Sequence, residues 1–313
     1  VCGIAGFSRR GSGSTFPAGD LSLALALAIE ARGPHATGYG WIDEASAWPY
    51  FWKEQGRASL VADLCAVTRD PEVRTLIAHT RYATQGSPSV AANNHPVVAP
   101  GIVLVHNGVV TNDDALFRTL GVERMAEVDS EVIAALLSYS GMDPWLALAE
   151  LRGRAAVAWL DADSPDTLHL ARVTDSPLHY AHTKGGAFIF ASTAKAINDA
   201  AGLAQVRLVG RVRSVDEGTY LRVVRGDITV VRRIAITRTA TTGPRLDQGA
   251  APAKKKGKKG RHANQGRLLS VAPDPATWDW TDGRGITDRF ARPATATQPP
   301  EPYWAWRNRD EGK

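Results

Sequence analysis

Sulfur is scarce in this chain: two cysteines, Cys2 and Cys65, and two methionines in 313 residues. Two cysteines cannot build a disulfide framework or a cysteine-rich zinc site, so a reducing, cytoplasmic setting is expected. No run of about 18 apolar residues occurs, which leaves no helix able to cross a membrane. The stretch Val1 to Phe7 lacks the basic flank and long apolar core of a secretory leader. There is no internal repeat and no glycine-rich phosphate loop. What is present is ordinary for a globular protein: 44% hydrophobic and 22% charged residues.

The charge is unevenly spread. Of the 37 Lys/Arg and 32 Asp/Glu residues, 14 basic and 8 acidic lie from Thr241 to Lys313, leaving 23 against 24 in the first 240 positions. The basic pI of about 9.3 is therefore a property of the tail, and the remainder is close to neutral. Residues 1–238 read as one compact mixed α/β domain. Residues 239–313 form a Pro/Lys-rich, Trp-containing tail with the block Lys254 to Arg261, expected to be largely disordered because like charges and few apolar residues cannot bury enough surface. Trp278, Trp280, Trp304 and Trp306 in that tail are unusual for a pure linker and could dock on the core or on a partner.

Within the first domain, strands are expected at Cys2 to Phe7, Tyr39 to Ile42, Trp48 to Trp52, Thr75 to Thr80, Gly101 to Val105, Ala155 to Leu160, Thr167 to Ala171, Ala187 to Ala191, Thr219 to Val224 and Ile228 to Ile236. Arg225-Gly226-Asp227 reads as a hairpin turn. Asp20 is placed to cap a helix running to Ile29, apolar on more than one face, and Gly33-Pro34 stops it. Asp129-Ser130 opens a second helix. Cys65, in the apolar stretch Leu60 to Val67, reads as core. Many strands with a few long helices indicate layered sheets and helices rather than regular parallel alternation.

Cys2 is the first candidate for chemistry. An N-terminal cysteine can use its own α-amine, with an ordinary pKa near ~7.7–8.0, as the base that takes the thiol proton. By position alone a buried strand cysteine is the commoner reading. Four further segments bear on the choice: Arg32-Gly33-Pro34-His35-Ala36-Thr37-Gly38 after a helix; His79-Thr80-Arg81-Tyr82-Ala83-Thr84-Gln85-Gly86 after a strand; Asn93-Asn94-His95-Pro96 leading to His106-Asn107-Gly108; and Val128-Asp129-Ser130-Glu131 at a helix start. Together with Cys2-Gly3-Ile4-Ala5-Gly6, these closely resemble, in order over residues 2 to about 235, the class II glutamine amidotransferases, N-terminal-nucleophile hydrolases typified by the glutaminase domain of glucosamine-6-phosphate synthase.

The resemblance implies an α+β fold, a four-layer αββα sandwich, and a function: hydrolysis of L-glutamine to glutamate and ammonia through a Cys2 thioester. It implies catalytic roles for Cys2 as nucleophile and for the Asn107 side chain and Gly108 N–H as oxyanion hole. Arg81 would take the substrate α-carboxylate, aided by the backbone of Thr84, Gln85 and Gly86, and Asp129 the α-ammonium. No metal and no organic cofactor is implied, and His79, His95 and His106 would be structural or pocket-lining. Two positions depart from the family pattern: His35 stands where an acidic residue is common after Arg-Gly-Pro, and Gln85 where histidine is common. Val1 precedes Cys2, so the resemblance requires its absence from active enzyme, and a non-ATG start codon whose initiator methionine is clipped would account for it.

The family's large members carry an acceptor domain. About 75 residues after position 238 are too few for one, since domains typically need ~100–150. Ammonia would pass to a separate synthase subunit, or the protein would act alone as a glutaminase. A partner of acidic character, or nucleic acid, is a further expectation for Lys254 to Arg261. The alternative reading is a catalytically silent relative serving as a regulatory or binding subunit through its basic tail.

Overall fold

The computed structural model describes residues 2–11 and 16–236 and the backbone of Ser270 and Val271. The expectations for Val1, Lys254 to Arg261 and the tail tryptophans lie outside the described residues. In chain order the elements are β1 (Gly3–Ser8), α1 (Ala18–Ile29), β2 (Ala36–Asp43), β3 (Tyr50–Gln55), α2 (Ala58–Val61), β4 (Val73–Arg81), β5 (Val97–Ala99), β6 (Ile102–Val110), α3 (Asp113–Leu120) and α4 (Glu131–Tyr139). They continue with α5 (Pro144–Ala147), β7 (Gly153–Asp161), β8 (Thr167–Thr174), β9 (His179–Thr183), β10 (Phe188–Ala191), α6 (Ala194–Leu203), β11 (Leu208–Ser214), β12 (Thr219–Val224), β13 (Asp227–Arg233) and β14 (Ser270–Val271).

The strands form two sheets, ordered β11-β9-β10-β1-β4-β2-β3-β14 and β13-β12-β8-β7-β6-β5. Every pairing is antiparallel. Three separate cores show how they stack. Ala155, Val157 and Trp159 of β7 face one core, with Val132, Ile133 and Leu136 of α4. Their alternates Ala156, Ala158 and Leu160 face another, with Ile4, Ile77 and Phe190 from the opposite sheet. Ala5 and Phe7 of β1 face the third, with Leu21, Leu25 and Ile29 of α1. A strand with period-two alternation and a core on each side belongs to a sheet covered on both faces. The result is the expected αββα sandwich: α1 and α6, the eight-stranded sheet, the six-stranded sheet, then α3 and α4.

Both sheets supply long strands to the same end of the molecule. In the register Gly3↔Thr80, β1 starts beside the end of β4, so residue 2 emerges next to Arg81 and Tyr82. Gly3 is needed for this fit, because a Cβ there would lie 2.8 Å from both the Ile29 Cβ and the Thr80 Oγ1. The Arg225-Gly226 turn between β12 and β13 has positive φ at both residues, 46° and 88°, the primed geometry that suits the twist of a hairpin.

Two capping expectations are corrected. Helix α1 begins at Ala18 behind Pro17, so Asp20 sits exposed in the first turn and makes no cap bond. Its charge still favours that helix end. Helix α4 starts where expected, but the Ser130 hydroxyl bonds the His106 Nδ1 at 2.8 Å instead of a helix N–H. Cys65 is core, 1% exposed, though it stands between two short 3₁₀ turns rather than inside an α-helix.

Candidate active site

Cys2 is half-buried at the mouth of the sandwich. Its Sγ lies 3.4 Å from the Tyr82 N–H and 3.7 Å from the Tyr82 carbonyl. Its own carbonyl accepts from the Arg32 Nε at 2.8 Å, which ties the residue to the turn after α1. Burial pushes the Cys2 thiol up, partly offset by the Tyr82 N–H and by nearby positive charge including Arg81, while the Asp129 carboxylate raises it further. A thiol so placed is protonated at neutral pH and needs a local base to become a nucleophile.

Arg81 ends β4 and is 3% exposed. Its guanidinium donates to the Asn94 Oδ1 at 2.9 Å, to the Gly86 carbonyl at 2.9 Å and to the Gln85 carbonyl. Five N–H donors serve these three acceptors, leaving donors over for a ligand. Burial lowers its pKa, and Cys2, Asp129 and Glu127 act in the opposite direction. Cys2, Arg81 and Asp129 are therefore near enough to feel one another's charge. Thr84 and Gln85 are exposed on the loop that Arg81 holds, and Gly86 is half-buried there.

The facing sheet contributes Asn107 and Gly108 from β6. Asn107 is 1% exposed, and neither its Oδ1 nor its Nδ2 has a hydrogen-bond partner. An unpaired buried amide costs about 1–3 kcal/mol per group, and a ligand that accepted from it would remove that cost. Gly108 has φ +155°, and a Cβ on it would stand 1.9 Å from the Arg154 carbonyl oxygen. No other residue fits this backbone. Asp129 packs against the same strand, its Oδ2 accepting from the Val110 N–H at 2.5 Å.

Three buried histidines lie behind these groups. His79 meets the His106 carbonyl through Nε2 at 3.2 Å and stacks on His95, centroids 4.0 Å apart. Burial drives the pKa of His79 down to about 3, and those of His95 and His106 below their ordinary values. They are neutral wedges that fix β4 against β6. No cluster among the described residues has the makings of a metal site, and no helix among them is long and apolar enough to cross a membrane.

Sequence reasoning gave no role to Arg32, Lys53, Asn93 or Asn94, and took His35 only as a departure from the family pattern that could alter the pocket mouth. His35 accepts from the Ala83 N–H at 2.9 Å and so braces the loop after Arg81. Lys53 donates to the Asn94 and Pro96 carbonyls at 2.8 and 3.0 Å, and burial lowers its pKa to about 7. The Arg32-Gly33-Pro34 and Asn93-Asn94 motifs were visible. Their partners, tens of residues away, were not.

Comparison with known proteins now bears on this arrangement. Residues 79–199 match a family model described as a glutamine amidotransferase domain. Over those residues the chain is similar to a glutamine amidotransferase domain. It is 34% identical over 166 residues to the isomerizing glutamine–fructose-6-phosphate aminotransferase of Escherichia coli, covering 50% of this chain and 26% of that one. It is 30% identical over 200 residues to the Rhizobium meliloti enzyme of the same name, covering 60% and 31%. The chain thus spans between a quarter and a third of the length of these curated relatives. In fold it is similar to the glutamine phosphoribosylpyrophosphate amidotransferase of B. subtilis, with a TM-score of 0.60 at 21% identity, over 75% of this chain and 50% of the other. A structure titled as the allosteric regulatory enzyme of purine biosynthesis matches with a TM-score of 0.61 at 20% identity and the same coverage.

Proposed function

We propose that this domain hydrolyses the side-chain amide of L-glutamine, with Cys2 as the nucleophile. The observation that carries the reading is the buried, unpartnered amide of Asn107 next to the positive-φ Gly108, on the strand that faces Cys2. That is the donor pair an oxyanion needs, held ready before any ligand arrives.

In this mechanism the Cys2 α-amine takes the thiol proton and Sγ attacks the amide carbon. The carbonyl electron pair moves onto oxygen, where the Asn107 Nδ2 and the Gly108 N–H donate to it. Collapse breaks the C–N bond, and the proton held by the amine leaves with ammonia. Water then attacks the thioester by the same route and releases glutamate and the free thiol. Arg81 pairs with the substrate α-carboxylate, where a guanidinium suits a planar anion, and Asp129 accepts from the α-ammonium. The Thr84 to Gly86 backbone closes over the carboxylate end. The residue before Cys2 has to be absent from the active form, since acylation of the amine removes the base. No cofactor enters any step.

The relatives named above are aminotransferases or amidotransferases with about half their length or more outside the matched region. Ammonia from this domain would accordingly go to an acceptor-activating synthase. Residues 1–238 are proposed as the glutaminase unit and residues 239–313 as an appendage that engages a partner.

The test is ammonia release from L-glutamine by wild type and by Cys2→Ala. Turnover by wild type and its loss to background in the variant are expected. Equal turnover by both would refute Cys2 as the nucleophile, and a wild type already at background would leave the reading of a silent regulatory relative.

A further inference from the structure

Asn93 and Asn94 are adjacent and almost fully buried, 0% and 3% exposed, yet their side chains serve opposite halves of the site. Asn94 accepts through Oδ1 from the Arg81 Nη1 at 2.9 Å and donates through Nδ2 to the Pro88 carbonyl at 2.8 Å. Its own carbonyl is held by the Lys53 ammonium. Asn93 clamps Glu127 in both directions: Oδ1 accepts from the Glu127 N–H at 2.8 Å, and Nδ2 donates to the Glu127 Oε2 at 2.7 Å. The same Nδ2 reaches the Ser87 carbonyl at 3.2 Å. Glu127 stands two residues before Asp129.

One dipeptide thus fixes the cation and, through a two-residue arm, the anion. We propose that Asn93 and Asn94 are positioning residues that set the separation of Arg81 and Asp129, and so restrict the site to ligands with both a free α-carboxylate and a free α-ammonium. This rests on the glutaminase reading above. The residue type matters at both positions. A carboxamide offers an acceptor and a donor on a short planar stem without adding charge. An aspartate at 94 would place a second anion on Arg81 and oppose the ligand carboxylate. An apolar residue would leave a buried Arg81 N–H and the half-buried Pro88 carbonyl without these partners.

The experiment compares three amides: L-glutamine, its α-methyl ester and N-acetyl-L-glutamine. Wild type is expected to prefer L-glutamine to either capped form by a factor on the order of 10² or more, as sites with buried polar groups do. In Asn94→Ala the KM for L-glutamine rises about tenfold with kcat within about twofold, and preference over the methyl ester falls by the same factor. In Asn93→Ala preference over the N-acetyl form falls instead. Asn94→Asp, which keeps an acceptor for Arg81 and guards against a folding defect in the alanine variant, raises KM for L-glutamine more than for the ester. Variants that slow all three substrates in proportion, with selectivity unchanged, would overturn the inference alone. A wild type inactive on all three would overturn the glutaminase reading and this inference with it.

Discussion

At the scale of single residues, the site is paid for in stability at Asn107. Its amide is buried with both polar atoms unmatched, and the mechanism proposed above would use it as a preformed donor. Asn107→Ala is expected to lower kcat about 10²–10³-fold while leaving the thermal midpoint unchanged or higher, because an unpaired buried amide is removed. Steady-state rates and a melting curve on the same preparation check both halves. Gly108→Ala has the opposite profile: strain on the order of 1–3 kcal/mol from a Cβ beside the Arg154 carbonyl, visible as a lower denaturant midpoint. Cys2, Arg81, Asn107, Gly108 and Asp129 could be singled out as candidates in the sequence because each sits in a short motif and the motifs keep their order. Lys53 was not legible. Its partners are the Asn94 and Pro96 carbonyls, and a bond to backbone leaves no mark on the partner's side-chain identity.

At the scale of elements, legibility followed burial. Strands β7, β8 and β12 have cores on one or both faces, and their apolar runs marked them; β12 spans Thr219–Val224 as expected. The short strands β5 and β9 and the exposed edge strand β11 were missed. Leu208–Ser214 carries two arginines and a glycine and is mostly solvated, so no alternation survives to be read. Helix α6 was also missed, although Thr193 caps it through the Ala196 N–H at 3.1 Å. Its buried face, Ala196, Ile197, Ala200 and Ala201, is mostly alanine, which marks an apolar stripe only weakly in sequence. The α1 layer carries the clearest energetic prediction. Leu25 is 0% exposed within the core between α1 and the eight-stranded sheet, so Leu25→Ala is expected to cost about 2–5 kcal/mol. Chemical denaturation measures it, and activity per folded molecule should be unchanged because Leu25 lies in the core beneath α1, whereas Asn107 and Gly108 are carried by the other sheet.

At the scale of the whole molecule, pH stability follows from histidines buried neutral on both sides of the sandwich. His79 and His169 have pKa values lowered by burial to about 3, against an unfolded value near ~6.5. A group depressed in the folded state contributes stability above its unfolded pKa and loses it as pH falls towards its folded pKa. Stability should therefore decline from about pH 6.5 towards pH 3, by up to about 1.4 kcal/mol per pH unit for each such histidine. Asp161, raised by burial to about 6, acts in the opposite sense between about pH 6 and 4 and softens the upper part of that decline. His169 bonds the Tyr220 hydroxyl and the Ser164 hydroxyl, at 2.8 and 2.9 Å. The melting temperature of His169→Gln should accordingly depend less on pH across this window.

The proposed hydrolysis depends on a sulfur atom and the amine beside it. Cys65 provides an internal control, since it is buried in the core and its thiol is pushed up to about 12, a poor target for any electrophile. Peptide mass mapping after treatment with a diazo-ketone analogue of glutamine, with residual hydrolysis followed in parallel, is the direct measurement. The prediction is a single adduct on Cys2 at a free N-terminus, Cys65 unmodified, and activity lost in step with labelling. Hydrolysis that persists with Cys2 fully labelled, or that proceeds while residue 1 is still attached, would contradict it.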